Sequence, residues 1–176
     1  MKTLIVIDMQ NDFVTGVLGS KEAVAVLPNV KKKIDAYMAA GDEVIFTRDT
    51  HEENYLETNE GRHLPVPHCV KETEGWQVVK EIDCPDCEHI DKPTFGSEEL
   101  GRLLAEYDNS DTEIYFCGFC TGICVISNVA IAKTFCKDAE VFVIENACAC
   151  VTPESHKTAI EAMKMIQVGI KGTPSC

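Results

Sequence analysis

The sequence predicts an α/β fold of the doubly wound, three-layer α/β/α kind, with a central, mainly parallel sheet of about six strands. Three observations lead there. Short apolar, β-branched runs alternate with segments of helical period along the whole chain. The runs are continuous rather than alternating, as strands buried on both faces require. No repeat, low-complexity stretch or linker divides the 176 residues, so they read as one domain, 1–176.

Residues 3–8 (TLIVID) form the first strand. In residues 28–40, Val30, Ile34, Tyr37 and Met38 recur at helical spacing, and Gly41 ends that helix. Residues 43–48 (EVIFTR) make a second strand. Residues 49 to about 75 are polar, rich in His, Pro and Gly, and without period. A loop of that length is either functional or disordered. Residues 88–92 (EHIDK) read as a weak third strand. A helix at 97–107 presents Leu100, Leu103 and Leu104, and a strand follows at 113–118. The helix at 123–135 is read with Ile123, Ile126, Val129, Ala130 and Ala132 inward. Next come a strand at 141–145 and a helix from Pro153 to about Ile166, with Thr152 as N-cap. A short edge strand is read at 167–170.

Composition narrows the function. Lys and Arg number 16 against 29 Asp and Glu, a net charge of −13. Such a surface repels phosphate backbones and anionic headgroups, so neither nucleic acid nor a membrane is the expected partner. The N-terminal apolar run stops at Asp8, too short for a signal peptide or a span, so a cytoplasmic location is expected. There the ten cysteines are expected to stay thiols. The set Cys84, Cys87 and His89 (C-x-x-C-x-H) suggests zinc or a redox pair in isolation, but it has no partner pair. We read it as an exposed turn with two thiols.

Sites in such sheets lie beyond the C-terminal strand ends. The first strand ends in Asp8, the second in Arg48-Asp49 with His51 beyond, and the third in Lys92. After the fourth comes FCTGIC, with Cys124 near the next helix start. Taken singly, these are a cap, a solvated lysine and an inert thiol. Taken together, they are a carboxylate, an ammonium and a thiol that the ammonium and the helix terminus acidify.

The segments IVIDMQNDF (5–13), FTRDTH (46–51), PHC (67–69), DKPTFGS (91–97) and CGFCTGICV (117–125) occur in one order along nearly the whole chain. In them the sequence resembles the isochorismatase-like cysteine hydrolases, of the nicotinamidase type. The resemblance implies that Asp8 is the general base and acid, Lys92 the charge-stabilising member and Cys124 the nucleophile. It implies a cis peptide at Phe119–Cys120, with the backbone N–H groups of Cys120 and Cys124 as the oxyanion hole. It further implies a divalent metal, zinc first, with iron or manganese as alternatives, on Asp49, His51 and His68, and Glu60 or Glu57 as an added ligand. Without that resemblance, Asp49 reads as a turn former and the two histidines as loop residues.

The expected reaction is hydrolysis of a small carboxamide, nicotinamide first, through a thioester, and the family's habit implies a homo-oligomer. The chain also departs from the pattern. Gly122 and Cys120 replace the usual Asp and small residue, and LPVP (64–67) replaces a Trp-bearing stretch. Phe13, Leu64 and Phe95 are left as the apolar pocket wall. A carbamoyl or ureido substrate for the same machinery is one alternative. A non-catalytic thiol switch built on Cys120 and Cys124 is another.

Overall fold

The computed structural model describes residues 2–172. Six strands make one sheet in the order β3-β2-β1-β4-β5-β6, every neighbouring pair parallel. They are β1 (Lys2–Ile7), β2 (Glu43–Asp49), β3 (Glu88–Lys92), β4 (Glu113–Phe119), β5 (Glu140–Ala149) and β6 (Gly169–Lys171). The helices are α1 (Asn11–Val14), α2 (Lys21–Ala40), α3 (Asn59–His63), α4 (Glu98–Glu106), α5 (Ile126–Phe135) and α6 (Pro153–Met165). The sheet is layered between α2 and the group α4, α5 and α6.

The middle strands are apolar throughout because both of their faces are covered. Ile5 pairs in register with Ile45 on one side and Phe116 on the other, and all three are buried. The strand order reverses between β1 and β4, so the loops leaving their C-terminal ends diverge and open a crevice there. Gly118 belongs to that junction. Its φ is +117°, and a Cβ there would collide with the Ile7 backbone. Asp8, just past β1, holds φ at +47°, a left-handed conformation that Asp tolerates better than most residues. The Phe119–Cys120 peptide is cis.

Several boundaries differ from the sequence reading. The first long helix begins at Lys21, not at Pro28. Ser20 caps it by accepting from the Ala23 N–H at 3.1 Å, and Ala23 and Val26 extend the buried stripe of Val30 and Ile34. Burial of that stripe outweighs the cost of an interior proline, about 3 kcal/mol. Ile123 and Ala130 are exposed rather than inward: across the single π-helical turn 121–125 and α5 the buried face is Thr121, Cys124, Val125, Asn128, Val129 and Ala132 at helical spacing, and Ile123 and Ala130 lie off it. The fifth strand runs on to Ala149 through an irregularity opposite Phe116 and Gly118.

The polar loop after β2 is ordered. It contains a 3₁₀ turn at Tyr55–Glu57 and α3, capped by the Thr58 hydroxyl accepting from the Gly61 N–H. Its two limbs are stitched together where His51 N–H donates to Cys69 O and Lys71 N–H to His51 O.

The expectation that every cysteine stays a thiol is corrected at one place: Cys84 and Cys87 form a disulfide. The turn Cys84-Pro-Asp-Cys87, closed by the Cys87 N–H donating to Cys84 O, brings their Cα atoms to 5.3 Å, within disulfide range. His89 stacks on Phe46 instead of joining a metal site. Seven cysteines are free among the described residues, all buried, and Cys176 lies outside those residues. No helix of the described residues is long and apolar enough to cross a membrane.

Candidate active site

Four strand ends deliver the charged groups to one place. Asp8 follows β1, Asp49 and Lys92 end β2 and β3 in register with each other, and the π-helical turn after β4 carries Cys124. All four are buried. Lys92 Nζ lies 2.7 Å from Asp8 Oδ2, 3.3 Å from Asp49 Oδ1 and 3.6 Å from Cys124 Sγ, and it donates to Thr94 O at 3.2 Å. The other oxygen of Asp8 accepts from the Thr47 hydroxyl at 2.6 Å. The Asp8 charge acts on the Cys124 thiol as well.

Electrostatics set the resting protonation states. Burial raises the Asp8 pKa, and the attraction of Lys92 only partly offsets that. Burial alone would lower the Lys92 pKa, but the charges of Asp8, Cys124 and Asp49 drive it upward, so the ammonium is firmly held. The Cys124 thiol is pushed well above its ordinary value, first by burial and then by Asp8, against the pull of Lys92. The expectation of an acidified thiol is therefore corrected. Burial and the Asp8 charge outweigh the pull of the Lys92 ammonium, and at rest Cys124 keeps its proton.

Beside this group lie Asp49, His51, Glu60 and His68, whose ligand atoms all fall within 4.8 Å of one another. His51 Nε2 is 3.0 Å from Asp49 Oδ2 and 3.9 Å from Glu60 Oε1; for His68 Nε2 the distances are 3.4 and 3.7 Å. Despite burial, hydrogen bonds from both histidines, with Lys92, hold Asp49 ionised. Glu60 is raised by burial and by the facing Asp49 charge. His68 Nδ1 sits 2.8 Å from Val66 O, the position of a donor, so that with an ion bound Nε2 would offer its lone pair to the metal in place of its present contact with Asp49. Two imidazoles and two carboxylates aimed at one point fit a divalent ion of the zinc, iron or manganese type. Such an ion would also relieve the repulsion between Asp49 and Glu60.

Cys124 and the four residues of this cluster open on a cavity of about 990 Å³, whose lining also includes Phe13, Leu64, Phe95 and Cys120. The three residues expected as the apolar wall are thus all on it. Glu57, the other candidate ligand, is absent from the cluster. The Cys120 thiol turns toward Cys150.

Several supporting residues escaped the sequence reading. Gln10 is fully buried: its amide donates to Asp49 O and Trp76 O at 2.8 Å each and accepts from the Asp49 N–H at 2.7 Å. Asp12 accepts from the Cys69 N–H and so holds the strand of loop that bears His68. Tyr55 packs its ring on both His51 and His68. Gln10 and Asp12 stood inside the quoted DMQNDF stretch; Tyr55 gave no signal in an aperiodic loop.

Asn128 is buried one turn beyond the thiol. It donates to Cys124 O at 2.8 Å and Phe95 O at 3.0 Å, and accepts from the Ser97 N–H at 2.9 Å. Asn128→Ala strands these groups and is expected to cost at least about 1–3 kcal/mol, read as a lower urea midpoint at unchanged slope.

The Isochorismatase domain model matches residues 2–172. No curated protein matches the sequence significantly. Among solved structures, nicotinamidase PncA from Bacillus subtilis is 25% identical, covering 97% of this chain and 98% of that one, at a TM-score of 0.82. The pyrazinamidase of Pyrococcus horikoshii, in complex with zinc, is 29% identical over 96% and 97% of the two chains, at 0.81. N-carbamoylsarcosine amidase from Thermoplasma acidophilum, 21% identical over 99% and 98%, shares the fold at 0.79.

Proposed function

The chain belongs to the Isochorismatase family, and from that premise we propose that this amidohydrolase cleaves a small carboxamide, nicotinamide to nicotinate and ammonia, through a thioester on Cys124. The observation that carries the reading is the meeting of Lys92 with Asp8 and with Cys124, which lines the cavity, beside the Asp49, His51, Glu60 and His68 cluster.

Asp8 takes the Cys124 proton as Sγ attacks the amide carbonyl. Because the resting thiol is protonated and Asp8 is a stronger base than an ordinary carboxylate, transfer and attack belong to one step. The oxyanion accepts from the backbone N–H groups of Cys120 and Cys124. Lys92 stays charged and steadies the negative charge that passes between Asp8 and the reacting atoms. Asp8 then protonates the leaving nitrogen, which departs as ammonia. A water that gives its proton to Asp8 attacks the thioester, the acid leaves, and the proton returns to Cys124.

Asp49, His51, Glu60 and His68 would hold a divalent ion, zinc first, which when bound supplies a Lewis-acid point for a substrate lone pair such as a ring nitrogen. Gln10 supports that site by fixing the Asp49 backbone. Gln10→Ala is expected to lower metal affinity about 10- to 100-fold, measured by competition with a chromogenic chelator.

A carbamoyl or ureido substrate is the second reading. It is favoured by the place of Trp76, which is outside the cavity lining, donates to Thr50 Oγ1 and lies under the Arg48 guanidinium. Ammonia release from nicotinamide and from a panel of carbamoyl and ureido compounds, with metal supplied, tests both. Release from nicotinamide alone supports the first reading; release from the panel alone moves the assignment to the second.

A further inference from the structure

We propose that Cys120 and Cys150 form a peroxide-oxidisable dithiol beside the nucleophile, closing to a cystine that ties the turn after β4 to the end of β5.

Their sulfur atoms lie 2.7 Å apart, both residues being buried. The backbone makes this meeting possible. β4 and β5 are parallel neighbours, and Gly118 pairs with Cys148 and Phe119 with Ala149. Cys120 and Cys150 are the next pair in that register, one residue past each strand. Neighbouring strands stand about 4.8 Å apart, inside the Cα separation of about 4.4–6.8 Å that a disulfide spans. Closure therefore asks for side-chain rotation rather than movement of either strand. Gly122 keeps the space open, since a Cβ there would stand 3.3 Å from Cys150 Sγ.

The two sulfurs are chemically unlike. Burial and the hydrogen bond to its partner push the Cys120 thiol up to about 12. Burial also works against a Cys150 thiolate, but hydrogen bonds from Cys120, Ser155 and the Gly122 and Val151 N–H groups outweigh it, and Cys150 is lowered. The pair is thus a thiol donor and a thiolate-like acceptor. Cys120, not Cys150, lines the cavity, so a small oxidant meets Cys120 first.

The chemistry closes with a hydroperoxide as the oxidant. Cys150, the thiolate-like member, takes the Cys120 proton across the 2.7 Å contact; the Cys120 sulfur then accepts one oxygen from hydrogen peroxide as the O–O bond breaks, giving a sulfenic acid and a hydroxide that solvent protonates to one water. The Cys150 sulfur then attacks that sulfur. The S–S bond forms, the S–O bond breaks, and hydroxide takes the remaining thiol proton to leave as a second water. Two electrons pass from the pair to the peroxide. Cys124 has no part in the bond, because its own neighbours are Asp8 and Lys92.

The test treats the wild-type chain, and Cys124→Ala, with hydrogen peroxide. Both are then unfolded in N-ethylmaleimide and digested without reductant. The expected result in both is one linked peptide pair joining Cys120 to Cys150, with loss of both maleimide labels and of two hydrogens in mass, all reversed by dithiothreitol. In Cys150→Ser the linked pair is lost and Cys120 proceeds to sulfinic acid. The proposal is overturned if Cys120 and Cys150 both stay fully labelled after peroxide, or if Cys120 is found linked to Cys124 or another cysteine.

Discussion

Cys124→Ala is expected to lower kcat for amide hydrolysis by roughly 10⁴-fold or more, the scale seen when a covalent nucleophile is removed. The residual rate would come from whatever the oxyanion donors and the metal cluster do for direct attack by water. Binding should survive, because the cavity wall and the Asp49, His51, Glu60 and His68 cluster are untouched. The measurement is ammonia release under single-turnover conditions, with metal content and urea midpoint determined alongside. A loss of rate with metal and midpoint preserved assigns the effect to chemistry rather than folding.

The second large effect is on stability. Lys92 is wholly buried, and its ammonium is the only positive charge bonded to both Asp8 and Asp49 among the described residues. Lys92→Met keeps the length of the side chain and removes that charge, leaving the buried Asp8 carboxylate without a counter-charge, while Asp49 keeps His51. Breaking a buried pair in this way costs about 3–5 kcal/mol. For a chain of this size each kcal/mol moves Tm by about 2–4 °C. The cost should depend on pH with a definite sign. Asp8 already sits above its ordinary 3.8 in the folded chain, and Lys92 is what pulls it down. Without Lys92 it rises further. A carboxyl raised on folding favours the folded state when protonated, and that support is lost as pH rises through the folded pKa. The Tm deficit of Lys92→Met should therefore be largest near neutrality and shrink on acidification toward the unfolded value. A deficit that stayed constant or grew at acidic pH would show that Asp8 is not the group left unpaired. The variant should also be inactive, since Asp8 would rest as the neutral acid and could not take the Cys124 proton.

Most of the frame was legible because buried parallel strands must be continuously apolar. Thr3 to Ile7 and the strands around Val44 and Phe116 announce themselves for that reason. The strand-end rule then pointed to Asp8, Asp49, Lys92 and Cys124 without any knowledge of their contacts. Three kinds of information were hidden. Tertiary burial overrode a local breaker at Pro28, which periodicity alone could not foresee. The buried face after β4 carries Thr121, Cys124 and Asn128, which a pattern of apolar residues skips, so Ile123 and Ala130 read as inward when they are not. The protonation of Cys124 depended on its burial and on the nearness of Asp8, which only the folded chain brings about. The neighbour of Cys120 was likewise set by strand pairing, 30 residues along the chain, and not by proximity to Cys124 in sequence.

The measurement that goes most directly to the central claim is to trap the covalent intermediate. The metal-supplied chain is mixed with nicotinamide, quenched in acid within the first turnover and mapped by mass spectrometry. The account predicts a nicotinoyl group on the peptide bearing Cys124, absent from Cys124→Ala and removed by hydroxylamine, with ammonia released in step. Ammonia release that persists in Cys124→Ala, or an acyl group mapped to any other cysteine, would contradict it.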